Sequence, residues 1–410
     1  MSIATPPKTR GALAKREARL AWGLLFPTLF IVSLIIVLPL LAIFWISFKP
    51  VGLADLRAVT PIVREAMRTR QGESFIEYRV RNSSQSKVVN NAKFEDTVPD
   101  NVVMTELPEY CSLNDTQFSC DFGELEAGFS ERIRIPIKFT DAEDVVEETL
   151  ESSEPKVFGK GENSLTNAEF TLDNFRRIFD SKEFSQVLWA TTFYTVVGTI
   201  GALLVGLFAA MLLNKSFRGQ GVLRGLYLFP YISPVIAVAF TWVTLFDPFS
   251  GSINALIVQM DVSDGPINFF GERPQALIMV TVFEIWRYFP LSFLFILARM
   301  QSIDSDMYEA ADMDGASPFQ KFWYLSLPML LGILSVLFLL RFIWTFNKFD
   351  DIFLLTGGNA GTRTLTVNVY EQAFAISNIG AGAAVAVVIF AVLLSFSVLF
   401  LRYISQEEGL

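Results

Sequence analysis

Six apolar runs constrain this chain more than any other feature of its sequence. A helix needs roughly 20 apolar residues to cross about 30 Å of hydrocarbon, and runs of this kind occupy residues 22–48, 187–213, 226–246, 275–298, 328–346 and 379–401. An apolar fraction of 52% and a mean hydropathy of +0.41 agree with a chain that lies mostly in a membrane. We therefore predict an all-α polytopic membrane protein with six transmembrane helices.

Basic residues outside these runs predict how the helices are oriented. Eleven lysines and arginines flank one set of helix ends, whereas three lie in the short loops at the opposite ends. The larger group comprises Lys8, Arg10, Lys15, Arg16, Arg19, Lys215, Arg218, Arg224, Arg299, Lys321 and Arg402. Because cytoplasmic loops carry the excess of basic residues, we expect both termini, including the tail at 1–21, to be cytoplasmic. No small-residue cleavage site follows the first run, so we interpret it as an uncleaved anchor.

A long segment, residues 49–184, separates the first two runs and is predicted to lie outside the cytoplasm. It holds 17 basic and 26 acidic residues, a difference that equals the net charge of −9 of the whole chain. Short stretches of alternating apolar and polar residues, divided by Asn, Asp, Pro and Gly turns, predict several strands. We expect a β-sandwich at about 72–140. An acidic linker follows at 141–156, for which calcium binding is the alternative to a solvated connection.

Certain residues of this insert follow a pattern known from other proteins: residues 78–82 and 97–99, then Cys111, Cys120, Gly123, Leu125 and Gly128. In this pattern the insert resembles the Ig-like modules repeated in bacterial surface proteins. Cys111 and Cys120 are the only cysteines, and both fall in the compartment where disulfides persist, so we expect them to be bonded. A metal or redox site is the alternative, but the chain has no histidine and no C-x-x-C spacing.

Residues 302–328, between the fourth and fifth runs, predict two short helices joined by a tight turn. Asp304 and Asp306 are candidates for the N-cap of the first helix, and Gly315 is placed to end it. The second helix is signalled by an N-cap, a proline and a capping-box partner at Ser317, Pro318 and Gln320. A helix-turn-helix between two membrane spans indicates a docking element.

Charged residues within the predicted spans are costly and therefore informative. Glu284 and Arg287 are three residues apart on one helical face, where they can neutralise each other, and Arg341 lies in the fifth run. A structural ion pair and the wall of a polar cavity are both open interpretations. Aromatic neighbours that could stack on sugar rings, or merely line a membrane interface, are Trp286, Tyr288 and Trp344. Prolines that interrupt the runs at Pro230, Pro234 and Pro290 suggest broken helices along a substrate path.

The sequence excludes several classes of enzyme. It contains no phosphate-binding G-x-x-x-x-G-K-[ST] loop, so it cannot itself cradle a nucleotide, and it lacks histidine and a nucleophile elbow. Transport and signalling remain, and for either of them the energy must come from elsewhere.

Two motifs then carry a family resemblance. Glu309, Ala310, Ala311, Gly315, Leu325, Leu327 and Pro328 resemble the EAA signature of binding-protein-dependent ABC importer permeases, with Leu325 where isoleucine is usual. Trp344, Phe349, Asp350, Leu355, Thr356, Gly357 and Gly358 resemble the sugar-permease branch that contains the maltose permease subunit, with Asn359 where proline is usual.

The resemblance implies a transmembrane core at 185–405 and a set of partners. It predicts a non-catalytic subunit of the bacterial inner membrane with no cofactor of its own; ATP and Mg would be bound by a separate ABC ATPase dimer. A second permease subunit, an extracytoplasmic solute-binding protein and membrane lipid would complete the system, without nucleic acid. The residues implied in ATPase coupling are Glu309, Ala310, Ala311, Gly315, Leu327 and Pro328.

The resemblance also implies which residues line the solute pathway. Carried over onto this chain they are Arg287, Tyr288, Leu291, Arg341, Trp344, Thr345 and Lys348. Leu291 and Arg341 differ from the maltose-type pattern, so the expected cargo is a sugar or sugar-like solute other than maltose, with an anionic group as one hypothesis. A polytopic membrane sensor and a secondary transporter, each with an extracytoplasmic ligand-binding domain, are the alternative functions.

Overall fold

The computed structural model describes residues 12–70, 73–85, 87–99, 102–139 and 154–407. Their internal contacts divide the chain into two compact units. The first unit is drawn from residues 1–174 and 373–380, and the second from residues 175–372 and 381–410. The predicted combination of a helical membrane protein with an inserted β domain is confirmed. Most of the predicted acidic linker, residues 141–153, lies outside the described residues.

The first unit begins with one long apolar helix. Helix α1 (Ala12–Val32) passes through a π-helical turn, Ser33–Val37, into α2 (Leu38–Ser47). Within Arg16–Ser47, an 18-residue window reaches a mean hydropathy of 3.0, which is typical of a membrane span.

Among its described residues, the first unit continues with eight strands that form two antiparallel sheets. They are β1 (Pro61–Arg70), β2 (Glu73–Asn82), β3 (Val89–Thr97), β4 (Val102–Met104), β5 (Cys111–Asn114), β6 (Gln117–Leu125), β7 (Ser130–Phe139) and β8 (Lys156–Gly161). One sheet has the order β1-β2-β7-β4 and the other the order β5-β6-β3-β8. Alternate side chains of both sheets form the core, in which the Tyr78 ring lies 5.1 Å from Phe94 and 5.3 Å from Phe118. Cys111 and Cys120, paired across β5 and β6, form a disulfide.

The sandwich is wider than the predicted range of 72–140. Strand β1 precedes that range and pairs with β2 along its whole length, and β8 follows the linker and pairs with β3. The sequence signal for β1 was missed because Glu65 occupies a core-side position between Val63 and Met67 and interrupts the alternation. The β8 signal was missed because the strand is short and contains Gly159, whose φ of +116° is unusual in a strand.

A buried lysine ties the end of the first helix to the chain that follows the sandwich. Lys49 is fully buried, and its ammonium donates hydrogen bonds to the backbone carbonyls of Asn167 and Glu169, the latter at 2.9 Å. The same ammonium lies 4.8 Å from the Trp45 ring and 4.1 Å from the Phe170 ring. Carbonyl acceptors and two aromatic faces together replace the water that a buried cation loses.

The second unit is helical. Its helices are α3 (Asp173–Phe179, which starts in the first unit), α4 (Phe184–Leu213), α5 (Gln220–Ile232), α6 (Val235–Leu245), α7 (Ser252–Gln259), α8 (Gln275–Gln301), α9 (Ser305–Met313), α10 (Pro318–Lys321), α11 (Leu327–Phe346), α12 (Asp350–Thr356), α13 (Leu365–Tyr370) and α14 (Ile379–Glu407, which likewise starts in the first unit). Buried apolar side chains of α4, α8 and α11 form one of its cores.

The third predicted span is a broken helix rather than a single one. Among the described residues, five helices are long and apolar enough to cross a membrane, and α5 with α6 form a further pair bent by 90°. The bend falls at Ser233 and Pro234, both extended, because proline has no N–H to continue the helical hydrogen bonding. If the bent pair crosses as one span, the total equals the predicted six.

Candidate functional site

The 302–328 loop begins with the predicted helix and turn. Asp304 caps α9 by accepting a hydrogen bond from the Asp306 N–H, so Asp306 lies inside the helix and is not its cap. Gly315 follows with a φ of +75°. The Gly315 N–H donates to the Asp312 carbonyl at 3.0 Å and the Ala316 N–H to the Ala311 carbonyl at 2.9 Å, the two hydrogen bonds of a Schellman motif.

The second arm of the loop differs from the prediction of a short, separate helix. The capping box forms as expected, with the Ser317 N–H donating to Gln320 Oε1 at 2.8 Å. From Pro318 the chain then runs through a π-helical turn, Phe322–Ser326, into α11 without a break. Pro328 lacks an N–H, and the wider turn before it allows the helix to continue. The result is one 29-residue helical stretch, Pro318–Phe346.

Two side-chain contacts hold the arms of the loop together. Lys321 and Asp312 form an ion pair of 2.6 Å, and the Tyr308 hydroxyl lies 3.0 Å from the Ser326 hydroxyl. The loop nevertheless exposes large apolar side chains, with Met313 at 89% and Phe319 at 70% of full exposure. The predicted coupling residues Glu309, Ala310, Gly315 and Pro328 are exposed as well, while Ala311 and Leu327 are half-buried. A braced loop with exposed apolar side chains is suited to docking.

Glu284 on α8 connects three helices near the end of the Pro318–Phe346 stretch that lies away from the loop. Its carboxylate accepts hydrogen bonds from Arg341 at 2.6 Å and Thr345 at 2.9 Å, both on α11, and from Tyr194 on α4 at 2.9 Å. The predicted pairing of Glu284 with Arg287 is therefore wrong, because a guanidinium on a neighbouring helix takes the carboxylate. Both charged groups of the observed pair are almost fully buried.

Arg287 instead forms hydrogen bonds to the backbone at the break between α5 and α6. Its guanidinium donates to the Pro230 carbonyl at 3.2 Å and to the Ser233 carbonyl at 2.9 Å. The Pro230 carbonyl would bond residue 234 in a continuous helix, but that residue is proline. Arg287 thus satisfies carbonyls that the bend leaves without a backbone partner, which a broken helix at membrane depth requires.

A cavity of about 150 Å³ lies beside these groups, lined by Tyr231, Glu284, Tyr288, Leu291, Arg341, Trp344 and Lys348. Five of the seven predicted pathway residues are in this lining; Arg287 and Thr345 are buried next to it. Tyr231 was not predicted, and its position between Pro230 and Pro234, two residues before the Ser233–Pro234 break, is the signal that could have found it. The ring of Tyr288 has Arg341 at 4.6 Å and Lys348 at 4.5 Å from its centre.

The charges around the cavity balance one another. Arg341 is paired with Glu284, and Lys348 lies 3.2 Å from Asp350 and 3.7 Å from Asp351 while it also donates to the Tyr288 hydroxyl. The aromatic lining remains accessible, since Trp344 is 51% and Tyr231 39% exposed. The cavity therefore offers aromatic faces and hydrogen-bonding groups, and both cations of its lining already contact carboxylates, although Arg341 Nε has no hydrogen-bond partner among the described residues.

Residues 202–407 match the family described as binding-protein-dependent transport system inner membrane component. The chain is 36% identical over 232 residues to the inner membrane ABC transporter permease protein YcjO of Escherichia coli, covering 56% of this chain and 77% of the relative. It is 32% identical over 232 residues to the trehalose/maltose transport system permease protein MalF of Thermococcus litoralis, covering 56% and 78%.

Among solved structures, the chain is similar to a bacterial ABC transporter involved in the import of the acidic polysaccharide alginate. The TM-score is 0.55 at 19% identity, over 59% of this chain and 85% of that one. At this identity the similarity concerns the fold, and it agrees with the helical core described above.

Proposed function

Because the chain belongs to the family of binding-protein-dependent transport system inner membrane components, as a permease subunit of an ABC importer, we propose that it carries a sugar or sugar-like solute across the inner membrane. Relatives named for trehalose and maltose and for sn-glycerol-3-phosphate support a hydroxyl-rich cargo. In this proposal ATP and Mg are bound by a separate ATPase dimer, and a second permease subunit and a solute-binding protein complete the system.

The observation that carries the proposal is the continuous helical stretch Pro318–Phe346. It starts in the loop that bears the EAA-like motif and ends at Arg341, Trp344 and Thr345, beside the cavity. At about 1.5 Å per residue it is roughly 43 Å long. A partner that moves the braced loop would therefore move the cavity wall, which is how ATP-driven closure of an ATPase dimer would reach the solute.

The cavity favours a neutral solute over an anionic one. Arg341 and Lys348 already face carboxylates, and both terminal nitrogens of Arg287 donate to carbonyls. An anion would have to separate a buried pair, which costs several kcal/mol. Partly exposed Trp344 and Tyr231 can instead stack on the apolar face of a sugar ring.

The remaining expectations complete the arrangement. We propose six crossings with both termini cytoplasmic, the 302–328 loop on the cytoplasmic side and the disulfide-bonded insert outside. Positive charge supports this orientation, since Lys215, Arg218 and Arg224 follow α4, Arg299 precedes the loop and Lys321 lies within it.

The test compares two glycines in the reconstituted complex. Gly315 and Gly219 both have positive φ, +75° and +89°, and open space around them, so Gly→Pro forces a similar change of φ at either site; at Gly315 it also removes the N–H that bonds to the Asp312 carbonyl. We expect Gly315→Pro to abolish uptake of a labelled neutral sugar in proteoliposomes while Gly219→Pro retains most of it. Normal uptake by correctly inserted Gly315→Pro would contradict the proposal that the loop docks on the ATPase.

A further inference from the structure

The arginines of the insert are concentrated on one face of one sheet. Seven arginines lie between residues 61 and 161, and all seven occupy the outward positions of β1, β2 and β7: Arg64, Arg68, Arg70, Arg79, Arg81, Arg132 and Arg134. Core residues such as Tyr78 and Ile133 alternate with them. The inserted segment is acidic overall, so its composition does not explain this basic face.

Three of the arginines form a row across neighbouring strands. Arg64 is directly opposite Arg79, and Arg79 is directly opposite Arg132. All three are exposed, and none has a carboxylate within ion-pair distance in the part of the insert that the structure describes. Arg81 occupies the next outward position of β2 and extends the cluster. Like charges directly opposite each other destabilise a sheet, so folding alone does not favour this row.

In the neighbouring part of the face, one arginine has its positive charge neutralised by a carboxylate of the same sheet. Arg134 lies 3.0 Å from Glu77 and 5.7 Å from the centre of the Phe75 ring. Its hydrogen bond to Glu77 holds the pKa of that carboxyl below the usual range, so the carboxylate stays charged. Arg132 lies near enough to Glu77 to help lower the pKa of that carboxyl but makes no ion pair with it, and the other two arginines of the row have no ion pair among the described residues of the insert. The guanidinium groups of the row are therefore available to an external partner.

The choice of residue indicates the kind of partner. Of five lysines between 61 and 161, only Lys138 shares this face. Guanidinium binds carboxylates in a planar, two-pronged geometry that lysine cannot reproduce. Protein interfaces are enriched in arginine and aromatic residues and depleted in lysine, whereas patches that bind anionic lipid use both cations. Phe75, Pro136 and the 61% exposed Val103 add apolar area to the face.

The size of the face suits a transient contact. Three ten-residue strands cover roughly 33 Å by 14 Å, or about 500 Å² of flat area. Transient protein interfaces bury less than about 600 Å² per partner. We propose that the outer face of β1, β2 and β7 is a docking surface for an acidic protein partner, whose aspartate and glutamate side chains bridge Arg64, Arg79 and Arg132.

The experiment uses the full chain in nanodiscs of neutral phosphatidylcholine, with a fluorescein-labelled polyglutamate peptide as the probe. Arg79→Gln/Arg132→Gln removes two positive charges from the row. Lys156→Gln/Lys160→Gln removes two from exposed positions on β8, in the other sheet, and is the matched control. We expect the arginine variant to bind the peptide at least about tenfold more weakly, because two charge-assisted contacts are lost, and the lysine variant to match the wild type.

Two further measurements separate the alternatives. Arg79→Lys/Arg132→Lys keeps the charge and should still weaken binding, because the planar geometry is lost. The thermal unfolding temperature of Arg79→Gln/Arg132→Gln should not fall, since like-charge repulsion is removed. Equal binding of the peptide by Arg79→Gln/Arg132→Gln and by Lys156→Gln/Lys160→Gln would overturn the proposal. So would tighter binding of polygalacturonate than of polyglutamate, or flotation with phosphatidylglycerol vesicles but not with phosphatidylcholine vesicles, which would assign the face to a glycan or a lipid.

Discussion

The buried pair of Glu284 and Arg341 should behave as one unit in unfolding measurements. Arg341→Met leaves the Glu284 carboxylate buried with only Tyr194 and Thr345 as hydrogen-bond donors. Removing one partner of a buried ion pair costs about 3–5 kcal/mol, and Glu284→Gln should cost a similar amount because it strands the guanidinium. The double variant removes both charges and should lie within about 1 kcal/mol of the wild type. The resulting coupling energy is at least about 5 kcal/mol.

The assay is thermal unfolding of the purified protein in detergent, together with denaturant titration. One kcal/mol corresponds to roughly 2–4 °C, so each single variant should unfold about 6–20 °C lower and the double variant should recover most of that loss. Arg299→Met removes an exposed arginine from the same helix, α8, whose hydrogen bonds to the Met329 carbonyl and the Ser302 hydroxyl are solvent-exposed, so it should change stability by less than about 1 kcal/mol. If the double variant were as unstable as the two single variants added together, the ion pair would not be holding the helices.

Three further perturbations test other parts of the structure. Lys49→Met removes the buried ammonium and leaves the carbonyls of Asn167 and Glu169 without this donor, so it should lower the free energy of unfolding by about 3 kcal/mol and speed amide hydrogen exchange at residues 167–170. Unchanged exchange would count against a bracing role for Lys49. Cys111→Ser/Cys120→Ser opens a loop with a sequence separation of 9 and should destabilise the insert by about 2–3 kcal/mol, an effect that a reducing agent should reproduce in the wild type. Arg287→Lys reaches one carbonyl of the α5–α6 break instead of two and should lower the unfolding temperature of the helical unit, whereas Arg299→Lys should not.

The sequence predicted the elements of the helical core well because hydrophobic length is a strong signal. It also predicted the loop in detail: Asp304, Ser317 and Gln320 act as caps, and Gly315 makes the turn. It did not predict that the second arm continues into the span. Proline usually marks the end of a helix in a sequence pattern, but here a π-helical turn accommodates Pro328. Whether such a turn forms depends on tertiary packing, which the sequence pattern does not show.

The pairing of charges could not be read from sequence spacing. Glu284 and Arg287 are neighbours on one helix, yet each finds a better partner on another helix. Spacing describes contacts within a helix only. The 90° bend explains the outcome, because it creates the carbonyls that Arg287 satisfies and leaves Glu284 for Arg341.

The first strand of the insert also could not be predicted from its sequence pattern. Glu65 at a core-side position concealed β1, although the arginines at 64, 68 and 70 show the period of two that a strand produces. The same period continues at 79 and 81 and at 132 and 134, so the basic face was present in the sequence. Recognising it required the register that places Arg64, Arg79 and Arg132 in one row.

We expect ATP, acting through the 302–328 loop, to drive solute movement past the cavity. The most direct test is the initial rate of labelled-sugar uptake into proteoliposomes that hold the complete transporter, measured with ATP supplied or withheld while ion gradients are kept constant. Uptake is expected only when ATP is supplied. Uptake driven by an ion gradient alone, at the same rate without ATP, would contradict an ATP-driven mechanism.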